Sequence, residues 1–211
     1  MKNLIIVGCG GFAREVFWHA HQSHGFGSEW RIKGFIDGDV KLSAAEYARL
    51  PAKVLGDIDS YDICAQDVFT VAVGTPKARR HLAEKISARG GNFVNVISLS
   101  ANIMPTVELG RGVIVCPQVV VGDGARLGNF VAVNVASTIG HDSQLGDFSC
   151  IMPHAAISGS CQIGAEVLVG SGAIILPRAR VADGATVGAG SVVLKKVRAG
   201  VTVFGNPSAE I

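Results

Sequence analysis

The chain is short of the bulky residues that fill ordinary globular cores. Of its 211 residues only 6% are aromatic, although 48% are hydrophobic and 27 are glycine. That balance excludes a core packed around large rings and suits thin, regular layers. No apolar run approaches the ~18–20 residues needed to span a bilayer, so the positive mean hydropathy does not signal a membrane protein. MKNLIIVG has the look of a leader's start, but GCGG and then Arg14–Glu15 cut the run short. Lys and Arg form no block and are not interleaved with aromatics, and the net charge is only +2, so nothing supports a nucleic-acid partner. The five cysteines (9, 64, 116, 150 and 161) are odd in number and contain no CxxC pair. They read as small buried thiols of a reducing compartment, not as a disulfide framework or zinc site. The expectation is a cytoplasmic protein.

What is present is a repeat. From Ile97 to Val193 every sixth residue is Ile, Leu or Val, seventeen positions without a miss. The residue four places after the aliphatic is mostly small, as at Ala125, Ser137, Ser143, Ser149, Ala155, Cys161, Ala173 and Ser191. Glycine often follows the aliphatic directly, as at 110, 122, 128, 140, 146, 164, 170 and 188. A helix needs a period near 3.6 and an alternating strand a period of 2. Six fits a short strand plus a tight corner, and three such units close a triangular coil. The aliphatic then fills the prism, the small residue fits the inner corner, and glycine is expected to relieve strain at the turn. Stacked coils bury one continuous column, as solenoids do. The pattern predicts a left-handed parallel β-helix over residues 97–211, with about five coils between residues 97 and 194, an exception to right-handed parallel crossovers.

Residues 1–96 read differently. LIIVG is a buried strand, and GCGGFAREV is a glycine-rich turn entering a helix, where backbone N–H groups can approach a phosphate. RIKGFID gives a second strand ending at Asp37, placed to meet a ribose hydroxyl. DVFTVAVG gives a third, followed by a helix from about Thr75 to Arg89. The alternation predicts a small Rossmann-like parallel α/β domain. The glycine spacing lacks the full GxGxxG, so a purely structural turn is the competing reading. Lys77, Arg79 and Arg80 could touch phosphate, but a solvated helix face fits them better. His21 and His24 share a helical face near the helix end, which suits ordinary polar residues better than a metal.

With GCGGFAREV at the start, a hexapeptide prism behind it and an internal Gly140-His141-Asp142, the chain resembles the NeuD/PglD family of sugar acyltransferases over nearly its whole length. The resemblance implies an acetyl-CoA-dependent homotrimer with active sites between subunits and no metal. It also implies a nucleotide-activated sugar acceptor, usually one bearing a 4-amino group for bacterial surface glycans, although other members O-acetylate sialic acids. By resemblance His141 is the general base and Asp142 its acidic neighbour, while Asn134 lines the acceptor cleft. Gly159 offers its N–H to the thioester oxygen, and Ser171 and Ala189 fall where coenzyme A lies. Cys150 stands where better-known members place a histidine that contacts acetyl-CoA. Gly10, Gly11, Asp37 and the Gly74–Thr75 turn match nucleotide-facing elements, and Phe12 replaces a common histidine.

Acyl transfer needs a base for the incoming nucleophile and donors for the developing oxyanion. Histidine titrates near neutrality, and a carboxylate beside an imidazole favours its charged form. Gly159 is eighteen residues beyond His141, one full coil, so the two are expected at the same corner. His154 is the rival corner histidine. A metal-binding prism of the gamma carbonic anhydrase type lacks a third suitably placed ligand, and a non-catalytic scaffold is the remaining alternative.

Overall fold

The computed structural model describes residues 1–38 and 42–211. The first domain is a parallel sheet of β1 (Lys2–Val7), β2 (Trp30–Ile36), β3 (Asp67–Val71) and β4 (Asn92–Phe93), ordered β2-β1-β3-β4. Three helices, α1 (Gly11–His21), α2 (Ala44–Tyr47) and α3 (Pro76–Ala88), complete it. Leu4, Ile5, Ile6 and Val7 are wholly buried, as a central strand covered on both faces requires. Helix α1 stops at His21, whose Nδ1 lies 2.9 Å from the Phe17 carbonyl. His24 is therefore not on that helix, and the expected shared face does not exist. No helix among the described residues is long and apolar enough to cross a membrane.

From Val96 onward the chain winds into a three-sided parallel β-solenoid. As far as Val193 each corner-to-corner strand is two residues long and pairs with the strand eighteen residues away, for example Thr138 with Ala156 and Ile139 with Ile157. Val133, Ile151, Val169 and Val187 are buried to 0% exposure inside the prism, and Ser137, Ser143 and Ser149 fill the inner corners. Each such aliphatic contributes ~1.5–3 kcal/mol of burial. The solenoid runs to six coils, one more than the period suggested. The last turn drops two residues, so Arg180 pairs with Lys196 and Val197 takes the place inside the prism that strict spacing gives Ala199.

The corner chemistry differs from expectation. The residue in the left-handed region is three places after the aliphatic, with φ near +60° at Gln118, Phe130, Asp142, His154 and Ser160. The glycine directly after the aliphatic is needed for close approach instead: a Cβ on Gly140 would lie 2.5 Å from the Gly159 nitrogen, and one on Gly122 2.7 Å from that of His141.

The three faces are unlike. Ile114, Ala132 and Cys150 point outward yet are at most 2% exposed, because they cluster with Ala13, Val16 and Phe17 of α1. This is the docked face. Val120, Thr138, Ala156, Ile174 and Val192 form an apolar, uncovered face, and Glu108, Arg126, Gln144, Gln162, Arg180 and Lys196 a polar one. Helix α3 braces the edge between polar and docked faces. Arg79, 1% exposed, donates to the Phe130 carbonyl at 3.1 Å, and Arg80 pairs with Glu166 and lies 4.8 Å over Phe148. Neither arginine is on a solvated face; both tie the domains together. Of the cysteines, all free thiols, Cys64 is exposed, against expectation, and the other four are buried.

Candidate active site

Two half-sites are built on different edges of the prism. The first lies where the α/β domain meets the edge between docked and apolar faces. Gly8 takes φ +105°, and a Cβ there would press on Ala72 and Val73, so only glycine lets β1 turn into α1. Gly10 is the helix N-cap, and around Gly10 there is open space. The Cys9 N–H donates to Asp37 Oδ2 at 2.8 Å. Burial, then the Asp37 charge, pushes the Cys9 thiol up to about 12, which removes it as a nucleophile near neutrality. Gly10, Gly11, Phe12, Asp37, Gly74 and His81 line a cleft of about 280 Å³. Thr75 caps α3 beside this cleft without lining it. His81 was missed by sequence reasoning. Its signal was available, since Ala78, His81 and Leu82 share a helical face one turn beyond Gly74–Thr75.

Phe12 and Gly74 also wall a second cavity of about 250 Å³, which continues to Asn134, Cys150, Met152 and Ser171 on the prism. Asn134 is 8% exposed and its Oδ1 accepts the Val135 N–H at 2.7 Å, which turns the amide at the corner. Cys150 Sγ lies 3.9 Å from Met152 Sδ, so this wall is apolar and soft. Ala189 is exposed on the same edge, one coil beyond Ser171. His154 stands on this edge too, exposed, with φ +60°.

The second half-site is the edge between apolar and polar faces. His141 and Asp142 are both 67% exposed, and His141 Nδ1 lies 2.8 Å from Asp142 Oδ2. Adjacent side chains usually diverge; here the left-handed Asp142 backbone turns its carboxylate back onto the ring. The His141 ring lies on Gly159, where a Cβ would meet Nε2 and would be 2.7 Å from Cε1. On the edge between polar and docked faces, by contrast, three such corner N–H groups are capped from the next coil, that of Arg111 by Asn129 Oδ1 at 3.1 Å, that of Asn129 by Asp147 Oδ1 at 2.7 Å and that of Ala165 by Asp183 Oδ1 at 2.9 Å. On the histidine edge the capping positions hold Gly159 and Pro177. The N–H groups of His141 and Gly159 bond no acceptor among the described residues. An imidazole with a free Nε2 thus stands beside an uncapped N–H, the pair that acyl transfer requires. Within one chain this pair and the acceptor-type cavity sit on separate edges. No group of three or more His, Cys, Asp or Glu suited to a metal occurs among the described residues.

A prism of six-residue units with a basic group at one edge and a nucleotide-type domain on one face defines a hexapeptide-repeat transferase. The PglD N-terminal domain model matches residues 3–86, and the bacterial transferase hexapeptide model matches residues 160–195. The acetyltransferase domain of PglB from Neisseria gonorrhoeae FA1090 is 30% identical with a TM-score of 0.88, each chain covered over 100% of its length. PerB from Caulobacter crescentus, solved with CoA and GDP-perosamine, is 26% identical with a TM-score of 0.88, covering 100% of this chain and 98% of that one. WeeI from Acinetobacter baumannii AYE is 28% identical with a TM-score of 0.85, both chains covered in full. The chain belongs to the NeuD/PglD-type family of hexapeptide-repeat acetyltransferases.

Proposed function

We propose that this enzyme transfers the acetyl group of acetyl-CoA to an amino group, at the 4-position, of a nucleotide-linked amino-deoxy sugar. The observation that carries the reading is the His141 ring seated over Gly159 with Nδ1 held by Asp142. Asp142 accepts from Nδ1, so the lone pair stands on Nε2. From there His141 takes the proton released as the amine attacks the thioester carbonyl. The Gly159 N–H meets the developing oxyanion. His141 then returns the proton to the departing thiolate. Residues 1–96 act as the acceptor domain and 97–211 as the transferase domain. The nucleotide lies across Gly10, Gly11 and Asp37, and the sugar passes Phe12 into the cavity at Asn134 and Cys150. PerB, solved with CoA and a nucleotide-linked sugar, and the PglB domain, solved with acetyl-CoA, support this substrate pair. The product, still carrying its nucleotide, suits assembly of a bacterial surface glycan from the cytoplasm.

The two half-sites flank the apolar face. If that face turns toward a three-fold axis, the histidine edge of one copy meets the cleft edge of the next, and the contact closes into a ring of three. Ser171 and Ala189 of one copy then face Gly159 of another across a groove for coenzyme A. An amine is the better acceptor because one histidine with an acidic partner suffices to deprotonate it, whereas a hydroxyl asks more of the base. The test offers matched 4-amino and 4-hydroxy nucleotide sugars, plus free and activated sialic acid, and weighs the products by mass. Acetylation of the amine alone is expected; acetylation confined to a hydroxyl overturns the proposal.

A further inference from the structure

The acceptor-type cavity holds one charged side chain that the transfer chemistry does not use. Phe12 and Glu15 of α1 form one wall of this space of about 250 Å³, and Asn134, Cys150, Met152 and Ser171 of the prism form the other. Phe12 and Glu15 are three residues apart, so the helix brings both to one face. Among the described residues that line the cavity, Glu15 is the only Asp, Glu, Lys, Arg or His. It is exposed and makes no ion pair among the described residues. Arg14 and Arg49 line the adjoining hollow together with Glu15, yet neither pairs with it. Its charge is felt across the cavity instead. Burial, and next the Glu15 carboxylate, push the thiol of Cys116, one coil before Asn134, up to about 12. An acid without a cationic partner therefore faces the space between α1 and the prism.

We infer that Glu15 is a specificity-determining residue of the acceptor cavity, selecting a sugar that carries an ammonium group over its hydroxyl counterpart. This rests on the reading of that cavity as the place of the sugar. An amine next to electron-withdrawing groups titrates at about pH 8, as a chain's α-amino group does, so it arrives near neutrality mainly as a cation. The matched hydroxyl carries no charge. The other groups around the cavity cannot tell the two apart by charge. Asn134 has its Oδ1 committed to the Val135 N–H, which leaves its NH2 as a donor. Ser171 offers a hydroxyl, and Phe12, Cys150 and Met152 present apolar surface. The Glu15 carboxylate is the acceptor that answers a positive charge. A bound sugar shields the contact from water, so the pair is worth more than the same charges on an open surface. The ammonium releases one proton to water before reaction. The neutral amine then attacks, and the proton it loses in that step is the one His141 takes.

The experiment is calorimetric titration of the full-length protein with GDP- and UDP-linked pairs of 4-amino and 4-hydroxy sugars, and with GDP and UDP alone. It is run on wild type, Glu15→Gln and Glu15→Asp. Wild type is expected to bind the amino sugar about tenfold more tightly than its hydroxy partner, the lower end of what a hydrogen bond to a charged group contributes. Glu15→Gln should lose that factor on the amino sugar alone. Its affinity for the hydroxy sugar and the free nucleotide, its KM for acetyl-CoA and its melting temperature should all be kept. Glu15→Asp retains the charge and should retain part of the preference. A preference that survives Glu15→Gln, or an equal loss on both sugars, would overturn the assignment. Product analysis separates this from the parent reading. A wild type that acetylates the amino sugar while binding both sugars equally sinks the role of Glu15 alone. A wild type that acetylates none of the amino sugars sinks both.

Discussion

Two edges of one prism, built from the same six-residue unit, put it to opposite uses. On the edge bearing Asn129, Asp147 and Asp183, each side chain reaches back one coil and caps a backbone N–H, so the corner is a staple between layers. On the edge bearing His141, Gly159 and Pro177, the staple is missing. The corner N–H groups stay open and an imidazole occupies the space over Gly159. The difference lies in the residue two places after the aliphatic. In the proposed mechanism the cap is withheld where the thioester's oxygen is to be bound.

Breaking the reactive edge should have the largest effect. His141→Ala should cut turnover by ~10²–10⁴-fold, the usual worth of a general base, with CoA affinity little changed. A near-native rate in that variant would move the base elsewhere, with His154 the first to examine. Pro177→Asp transplants the rule of the stapled edge onto the reactive one. A carboxylate there should cap the Gly159 N–H, slow transfer by about 10²–10³-fold by occupying an oxyanion donor, and leave the fold at least as stable. Unchanged kcat would show that this N–H takes no part. The reciprocal change is milder. Asp147→Ala should cost about 1 kcal/mol, read as a Tm lower by roughly 2–4 °C, with kcat/KM unaltered.

The prism was legible because its interior imposes a period that no other fold shares, and Ile97 through Val193 carry it openly. The final coil was hidden by a two-residue contraction that places Val197 where strict counting finds Ala199. The left-handed corner residue was hidden for another reason. Gln118, Phe130, Asp142 and Arg178 all occupy it, so residue type there carries no signal. The Gly140-His141-Asp142 corner and the glycine-rich turn were visible as chemistry in sequence. Their separation onto two edges was not, because it depends on which prism face the first domain covers. Arg79 shows the same limit: its partner carbonyl, at Phe130, is 51 residues away, and only docking turns a helix-surface arginine into a buried tie.

That separation is also what can be tested most directly. Gly10 has open space around it, so Gly10→Trp should block the acceptor cleft without disturbing the fold. His141→Ala disables the other half-site. Each variant alone should be nearly inactive. Co-expressed with different tags and isolated as mixed oligomers, they should regain activity, about a third of wild-type turnover per site, because every mixed closed trimer holds one complete interface in three. In such a mixture one copy supplies an intact histidine edge and its neighbour an intact cleft. Mixed oligomers that stay as inactive as the two parents would contradict the account, because the whole site would then reside in a single chain.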